Sequence, residues 1–308
     1  MMIFRDIPAS LPEPCVAAIG FFDGVHLGHR FLIDQVKDTA REKGLRTAII
    51  TFPVHPRKVM NDLHNPELLT TYREKIELLE ETGIDYCFFV DFTPDISRLS
   101  AEEFMRIVLR DRYNVCALVI GYDHRFGHNR TEGFDDYCRF GQALSIDVVR
   151  ANACTINNIA VSSSVVRRLL QTGEVSLAAE YLGYTYFLNG TVVGGHQIGR
   201  TMGFPTANLS IDDPDKLIPA DGVYAVRVEV EGKPYAGMLN IGRRPTINNG
   251  HHRSIEVHIL NFHSDIYDFS IRVSFVERVR AEMKFSGKDE LIRQLTEDAE
   301  IVKHLLNR

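Results

Sequence analysis

At 308 residues, 44% of them hydrophobic and 25% charged, the chain has room for two ordinary globular domains and lacks the composition of a disordered protein. A net charge of −6 argues against a nucleic-acid partner, which would require a basic face, and no apolar stretch approaches the ~18 residues of a membrane span. Five cysteines, odd in number and mostly in apolar segments, read as reduced thiols; with an N-terminus that carries no apolar leader, they predict a cytoplasmic location.

In chain order, short apolar runs at Val16–Ile19, Ala48–Phe52, Cys87–Phe92, Val115–Ile120 and Ile146–Val149 predict buried strands. Between them, Glu74–Glu80 and Ala101–Leu109 have the spacing of amphipathic helices. Alternation of this kind predicts a parallel sheet covered on both faces, a doubly wound α/β domain. The strand ending at Ile19 runs into Gly20-Phe21-Phe22-Asp23-Gly24-Val25-His26-Leu27-Gly28-His29, where a helix is expected to start near His26. A helix N-terminus at a strand's C-terminal end is a natural phosphate site, because its unpaired N–H groups and dipole favour an anion. His26 and His29 share one helix face, and Gly28 removes a side chain between them. Imidazoles so placed suit in-line attack on an α-phosphorus, as donors to oxygens that gain charge in the transition state.

After Gly183 the hydrophobic period changes to two, as in Tyr224, Val226, Val228 and Val230, and several strands follow without intervening helices. A small antiparallel β-barrel is predicted, with a hairpin turn at Glu231-Gly232-Lys233. A closing helix is predicted to follow a capping box at Ser286–Asp289. The expected domains are 1–184 and 185–308. In the second, Gly199-Arg200-Thr201-Met202-Gly203-Phe204-Pro205-Thr206-Ala207-Asn208 offers glycines for phosphate approach, and Thr206 and Asn208 as hard oxygen ligands for Mg²⁺. No Gly-x-x-x-x-Gly-Lys-Ser/Thr occurs, which excludes a P-loop kinase. In Ser254–Leu260, Ile255, Val257 and Ile259 form one face and Glu256 projects from the other.

The His-x-Gly-His block followed by Gly-Arg-x-x-Gly-Phe-Pro-Thr-Ala-Asn resembles the bacterial bifunctional riboflavin kinase and FAD synthetase family over nearly the whole chain. Thr51–Pro56, Gly121–Gly127 and Val161–Arg167 are similar to further segments of its synthetase half. The resemblance implies an α/β Rossmann-like nucleotidyltransferase domain that transfers AMP from ATP to FMN. It also implies a barrel domain that phosphorylates riboflavin with ATP and Mg²⁺. It implies roles for Gly20, Phe22, Asp23, Gly24 and Gly28 at ATP, for Asp123, Arg125 and Pro205 at the flavin, and for Ser162, Ser163, Ser164 and Arg167 at phosphates. Gly199, Arg200 and Gly203 would bind ATP in the kinase, with Glu256 as general base. Phe21, Val54, His124, Ser164 and Asp268 depart from the family pattern. Two other readings stay open from the residues: a nucleotidyltransferase for a different phosphate ester, and a flavin-sensing protein without turnover.

Overall fold

The computed structural model describes residues 1–5, 10–55, 58, 67–122, 124–128, 130–195, 199–243 and 253–307, without the side chains of residues 200, 201 and 243. The chain divides into two compact units, Met1–Ser163 and Ser164–Arg308.

In the first unit six of the described strands, β1 (Met2–Phe4), β2 (Cys15–Ile19), β3 (Arg46–Thr51), β4 (Tyr86–Phe89), β5 (Val115–Ile120) and β6 (Asp147–Arg150), run side by side. They form one parallel sheet in the order β1-β4-β3-β2-β5-β6. All five residues of β2 are buried, as expected of a central strand covered on both faces. The helices α1 (Leu27–Lys43), α2 (Tyr72–Glu80), α3 (Pro94–Arg98), α4 (Ala101–Phe104) and α5 (Phe134–Leu144) connect them. The segment predicted as one helix over 101–109 continues from α4 into a π-helical stretch, Met105–Arg110, that buries Met105, Val108 and Leu109. Among the described strands of this unit, those that escaped the sequence reading are β1 and a small hairpin of β7 (Thr155–Ile156) and β8 (Ile159–Ala160). Strands of two or three residues carry too little periodicity to be seen.

Burial also sets the chemistry of the thiols. Cys15 and Cys87 are fully buried, and burial pushes each thiol up to about 12. All five cysteines are free. Titration of the native protein with a thiol reagent is expected to reach only Cys116, Cys138 and Cys154, with the remaining two reacting after denaturant is added.

The second unit opens with α6 (Ser163–Thr172), whose first residue belongs to the first unit, and α7 (Val175–Leu182). A closed barrel follows, built from β9 (Phe187–Val193), β10 (Ala207–Ser210), β11 (Gly222–Val230), β12 (Lys233–Arg243), β13 (Arg253–Ile259) and β14 (Ser270–Arg280), in the order β10-β13-β12-β11-β14-β9. Glu231 (φ 49°) and Gly232 (φ 76°) make the two-residue hairpin between β11 and β12, both in the left-handed region such turns require. The final helix, α8 (Lys288–Leu306), packs on β11, β12 and β14. Its cap corrects the sequence reading: Gly287 is the N-cap, while Ser286 is held through its N–H and hydroxyl by the Glu290 carboxylate at 2.7 and 2.6 Å. The fully buried Asp298 carboxylate ties α8 to β14 through Arg280 at 2.8 Å and also accepts from Gln294. A pair so buried is costly to break on one side only.

Candidate active sites

The parallel sheet reverses its winding between β2 and β5, and ligands of open α/β sheets bind beyond the strand C-termini at such a point. Both sequence motifs fall there, the turn 20–26 after β2 and Gly121–Phe126 after β5. The turn is strained: Phe22 (φ 54°), Gly24 (φ 80°) and Val25 (φ 36°) all lie in the left-handed region, which a β-branched valine rarely enters. His26 then caps α1, its Nδ1 accepting from the His29 N–H at 3.3 Å. In the neutral ring the hydrogen therefore sits on Nε2, the nitrogen that does not make the capping bond. The His29 ring stacks on it at 3.7 Å. A Cβ on Gly28 would stand 2.8 Å from the Val161 carbonyl oxygen, so only glycine lets the 161–163 segment approach the first turn of α1. Ser163 completes that approach by donating to the Asp23 carbonyl at 3.0 Å.

The strain is held by residues 69–75. The Asp23 carboxylate, buried and given a role at ATP by the family resemblance, accepts from the Leu69 and Thr70 N–H groups at 2.9 and 3.1 Å, while the Thr70 hydroxyl accepts from Gly24 N–H at 3.1 Å. The carboxylate is thus anchored to its own scaffold. Phe22 is a second such case, a buried ring against His29 at 5.0 Å. Gly20 accompanies it, donating to the Ile50 carbonyl at 3.1 Å. Lys75 was missed by motif reading altogether: it is buried on α2 and donates to the Phe21 and Phe52 carbonyls at 3.2 and 2.8 Å, joining the loops after β2 and β3. Its signal was present in the sequence, since Lys75, Leu78 and Leu79 share the helix face that is buried.

Burial lowers the Lys75 ammonium from 10.5 to about 8, opposed by the nearby Asp23 charge. The unfolded chain therefore binds this proton more tightly, so the destabilisation is full below pH 8 and is relieved as pH rises toward 10.5. Urea unfolding of wild type against Lys75→Met is expected to show a stability difference that moves in favour of wild type across that window, by on the order of 3 kcal/mol. A difference independent of pH would contradict the assignment.

Beside β5 and β6, Arg125 lines a cavity of about 190 Å³ with Tyr122, His124, Tyr137 and Arg150. Arg150, at the end of β6, lies 4.8 Å over the Phe134 ring and was not picked out from the sequence. Asp123 lies outside the described residues. Ser162 and Ser163 stand at the start of α6; Ser164 and Arg167 occupy its first turns in the second unit.

In the barrel, Gly199–Met202 forms a 3₁₀ turn closed by Phe204 N–H donating to the Gly199 carbonyl at 3.0 Å, and a Cβ on Gly199 would collide with the Phe204 carbonyl. Gly203 (φ 83°) then turns the chain toward Pro205 and β10. The side chain of Arg200 is outside the described set. Asn208 on β10 and Asn240 on β12 both pair in register with Glu256 on β13, so the carboxylate sits between two amides across three strands. Asn240 carried only a weak motif signal. The Thr206 hydroxyl donates to Glu256 Oε2 at 3.2 Å. Two cavities meet at Thr206. One, of about 330 Å³, holds Glu256, Asn240 and His258 among apolar walls that include Phe204, Met238 and Phe285. The other, of about 390 Å³, is edged by Pro205, Thr206, Ser264 and Tyr267. Thr206, Asn208 and Glu256 supply oxygen donors only, and no cluster of three His, Cys, Asp or Glu is found among the described residues. Such a set fits a hard divalent cation that keeps water and nucleotide oxygens in its shell.

A nucleotide-binding switch point and a barrel with paired cavities define a two-site transferase. The match to the family models for FAD synthetase, over residues 9–165, and riboflavin kinase, over 182–306, completes the assignment. The chain belongs to the bifunctional riboflavin kinase/FMN adenylyltransferase family. It is 38% identical to the bifunctional riboflavin kinase/FMN adenylyltransferase of Listeria monocytogenes, covering 92% of this chain and 90% of that protein. Identity to the protein of the same name in Bacillus subtilis is 35%, covering 95% and 93%. A crystal structure of a protein described as a macrolide-efflux protein from Streptococcus pneumoniae matches with a TM-score of 0.89 at 29% identity, covering 98% of both chains. No helix among the described residues here is long and apolar enough to cross a membrane.

Proposed function

We propose that the two units make flavin cofactors in sequence, through the residues placed above. In the barrel, Glu256 takes the proton from the riboflavin 5′-hydroxyl as its oxygen attacks the γ-phosphorus of ATP; the bond to the β–γ bridging oxygen breaks, and FMN and ADP form. The observation that carries this reading is the meeting of two cavities at Thr206, hydrogen-bonded to Glu256. The apolar cavity suits the flavin ring and the other the nucleotide; Pro205, which the motif gives to the flavin, edges the second cavity beside Thr206, and Gly199, which the motif gives with Arg200 and Gly203 to the phosphates, lines the first. Thr206 and Asn208 would hold Mg²⁺, which supplies charge neutralisation on the transferred group.

In the α/β unit a phosphate oxygen of FMN attacks the α-phosphorus of a second ATP, and pyrophosphate leaves as FAD forms. His26 and His29 donate to the oxygens that gain charge, and the N–H groups at the start of α1 bind phosphate, with Gly24 and Gly28 leaving room for its approach. Asp23, Phe22 and Gly20 serve this site by holding the turn. Arg125, and Asp123 by its motif, serve the flavin; the Ser162-Ser163-Ser164 run and Arg167 keep the phosphate role their motif implies. The functional domains are assigned as 1–184 and 185–308, in the cytoplasm, where free thiols persist.

Purified protein given riboflavin, ATP and Mg²⁺ should yield FMN and then FAD, separated by chromatography. Absence of both products would end this reading, and turnover of FMN alone would reduce it to the adenylyl half.

A further inference from the structure

We propose that His258 is a positioning residue of the phosphoryl-transfer site, holding the Pro205–Thr206 segment against Glu256 through its Nδ1–H. The inference rests on the roles given above to Thr206 and Glu256. His258 stands two residues after Glu256 on β13, on the same face, and lines the same 330 Å³ cavity. Its Nδ1 lies 2.7 Å from the Pro205 carbonyl oxygen. A carbonyl only accepts, so Nδ1 carries the hydrogen.

The neighbouring backbone explains why such a tie matters. Strand pairing between β10 and β13 starts at Ala207 opposite Val257, so Pro205 and Thr206 lie before the ladder. Pro205 has no N–H of its own, and its carbonyl is the polar handle it offers. The preceding Phe204 N–H is spent within its own turn, on Gly199. His258 thus supplies the bond from β13 to the residue next to Thr206, and its ring meets Phe204 edge-on at 5.3 Å. A shift of Thr206 by an ångström would misplace both its hydroxyl and the cation it helps to hold.

The test is a comparison of His258→Asn, His258→Gln and His258→Leu in the full chain. An asparagine amide nitrogen overlays Nδ1, a glutamine amide reaches instead toward Nε2, and leucine keeps bulk without a donor. For riboflavin phosphorylation, kcat is expected to fall by at least ~10-fold in the Gln and Leu variants and to stay within about threefold in Asn, since small misplacements near reacting atoms cost up to ~10²-fold. KM for riboflavin should move less than kcat. Conversion of added FMN to FAD, and Tm, should match wild type in all three. Wild-type kcat in the Leu variant, or equal loss in Asn and Gln, would overturn the proposal; the Asn and Gln pair decides it if the Leu variant unfolds. Glu256→Gln retaining turnover while Asn and Gln at 258 still differ would instead overturn the base assignment and keep the anchor.

Discussion

Glu256→Gln is expected to lower riboflavin phosphorylation by ~10²–10⁴-fold, the range a positioned general base contributes, while added FMN is still converted to FAD. Glutamine keeps the side chain's length, and its amide oxygen can still accept from the Thr206 hydroxyl, now 3.2 Å from Glu256 Oε2. The barrel should therefore fold normally. What is lost is the proton acceptor and a negative oxygen beside Thr206 and Asn208. Separate assays of FMN formed from riboflavin and of FAD formed from FMN, on one preparation, measure both arms. Equal kinase rates in wild type and variant would remove Glu256 from the chemistry even though its neighbours stayed in place.

The second large effect concerns His26. His26→Ala is expected to depress FAD formation by ~10²–10³-fold, the scale for deleting one preorganised donor, with riboflavin phosphorylation unchanged. Alanine also removes the cap of α1, made by Nδ1 accepting from His29 N–H, which would cost ~0.5–2 kcal/mol by itself. His26→Asn separates the two effects, because asparagine is a strong N-cap residue but cannot place a donor where Nε2 stands. The Asn variant should recover Tm and remain as poor an adenylyltransferase as the Ala variant. Recovery of FAD synthesis along with Tm would mean that the imidazole acts only as a cap.

Much of this was readable from residues alone because it depended on local pattern. All-apolar runs such as Val115–Ile120 became interior parallel strands, and the alternation in β11 became a barrel wall. The start of α1 near His26 followed from a strand, a glycine-rich turn and a helix in succession, whereas the capping bond of its Nδ1 did not. What motif reading missed was set by partners distant in the chain. The role the motif implies for Asp23 said nothing of the Leu69 and Thr70 N–H groups, which its carboxylate also holds. Lys75 lies on the helix face that is buried, but the Phe21 and Phe52 carbonyls that receive its ammonium come from loops distant in the chain. Asn240 gains meaning only from the register that places it opposite Glu256. The cap of α8 was misplaced by one residue because Ser286 binds the Glu290 side chain instead of closing the helix end.

The left-handed backbone at Phe22 and Val25 has a consequence for anyone who tries to make this enzyme more heat-tolerant. Each is a conformation that glycine would adopt freely, yet both side chains are buried, and the cavity left by the missing Phe22 ring would cost about 3–5 kcal/mol, more than the relief of the backbone returns. Heat resistance is therefore not to be gained by relaxing this loop with glycine, and the aim of His26 is protected by the same packing that keeps the turn in its unusual shape.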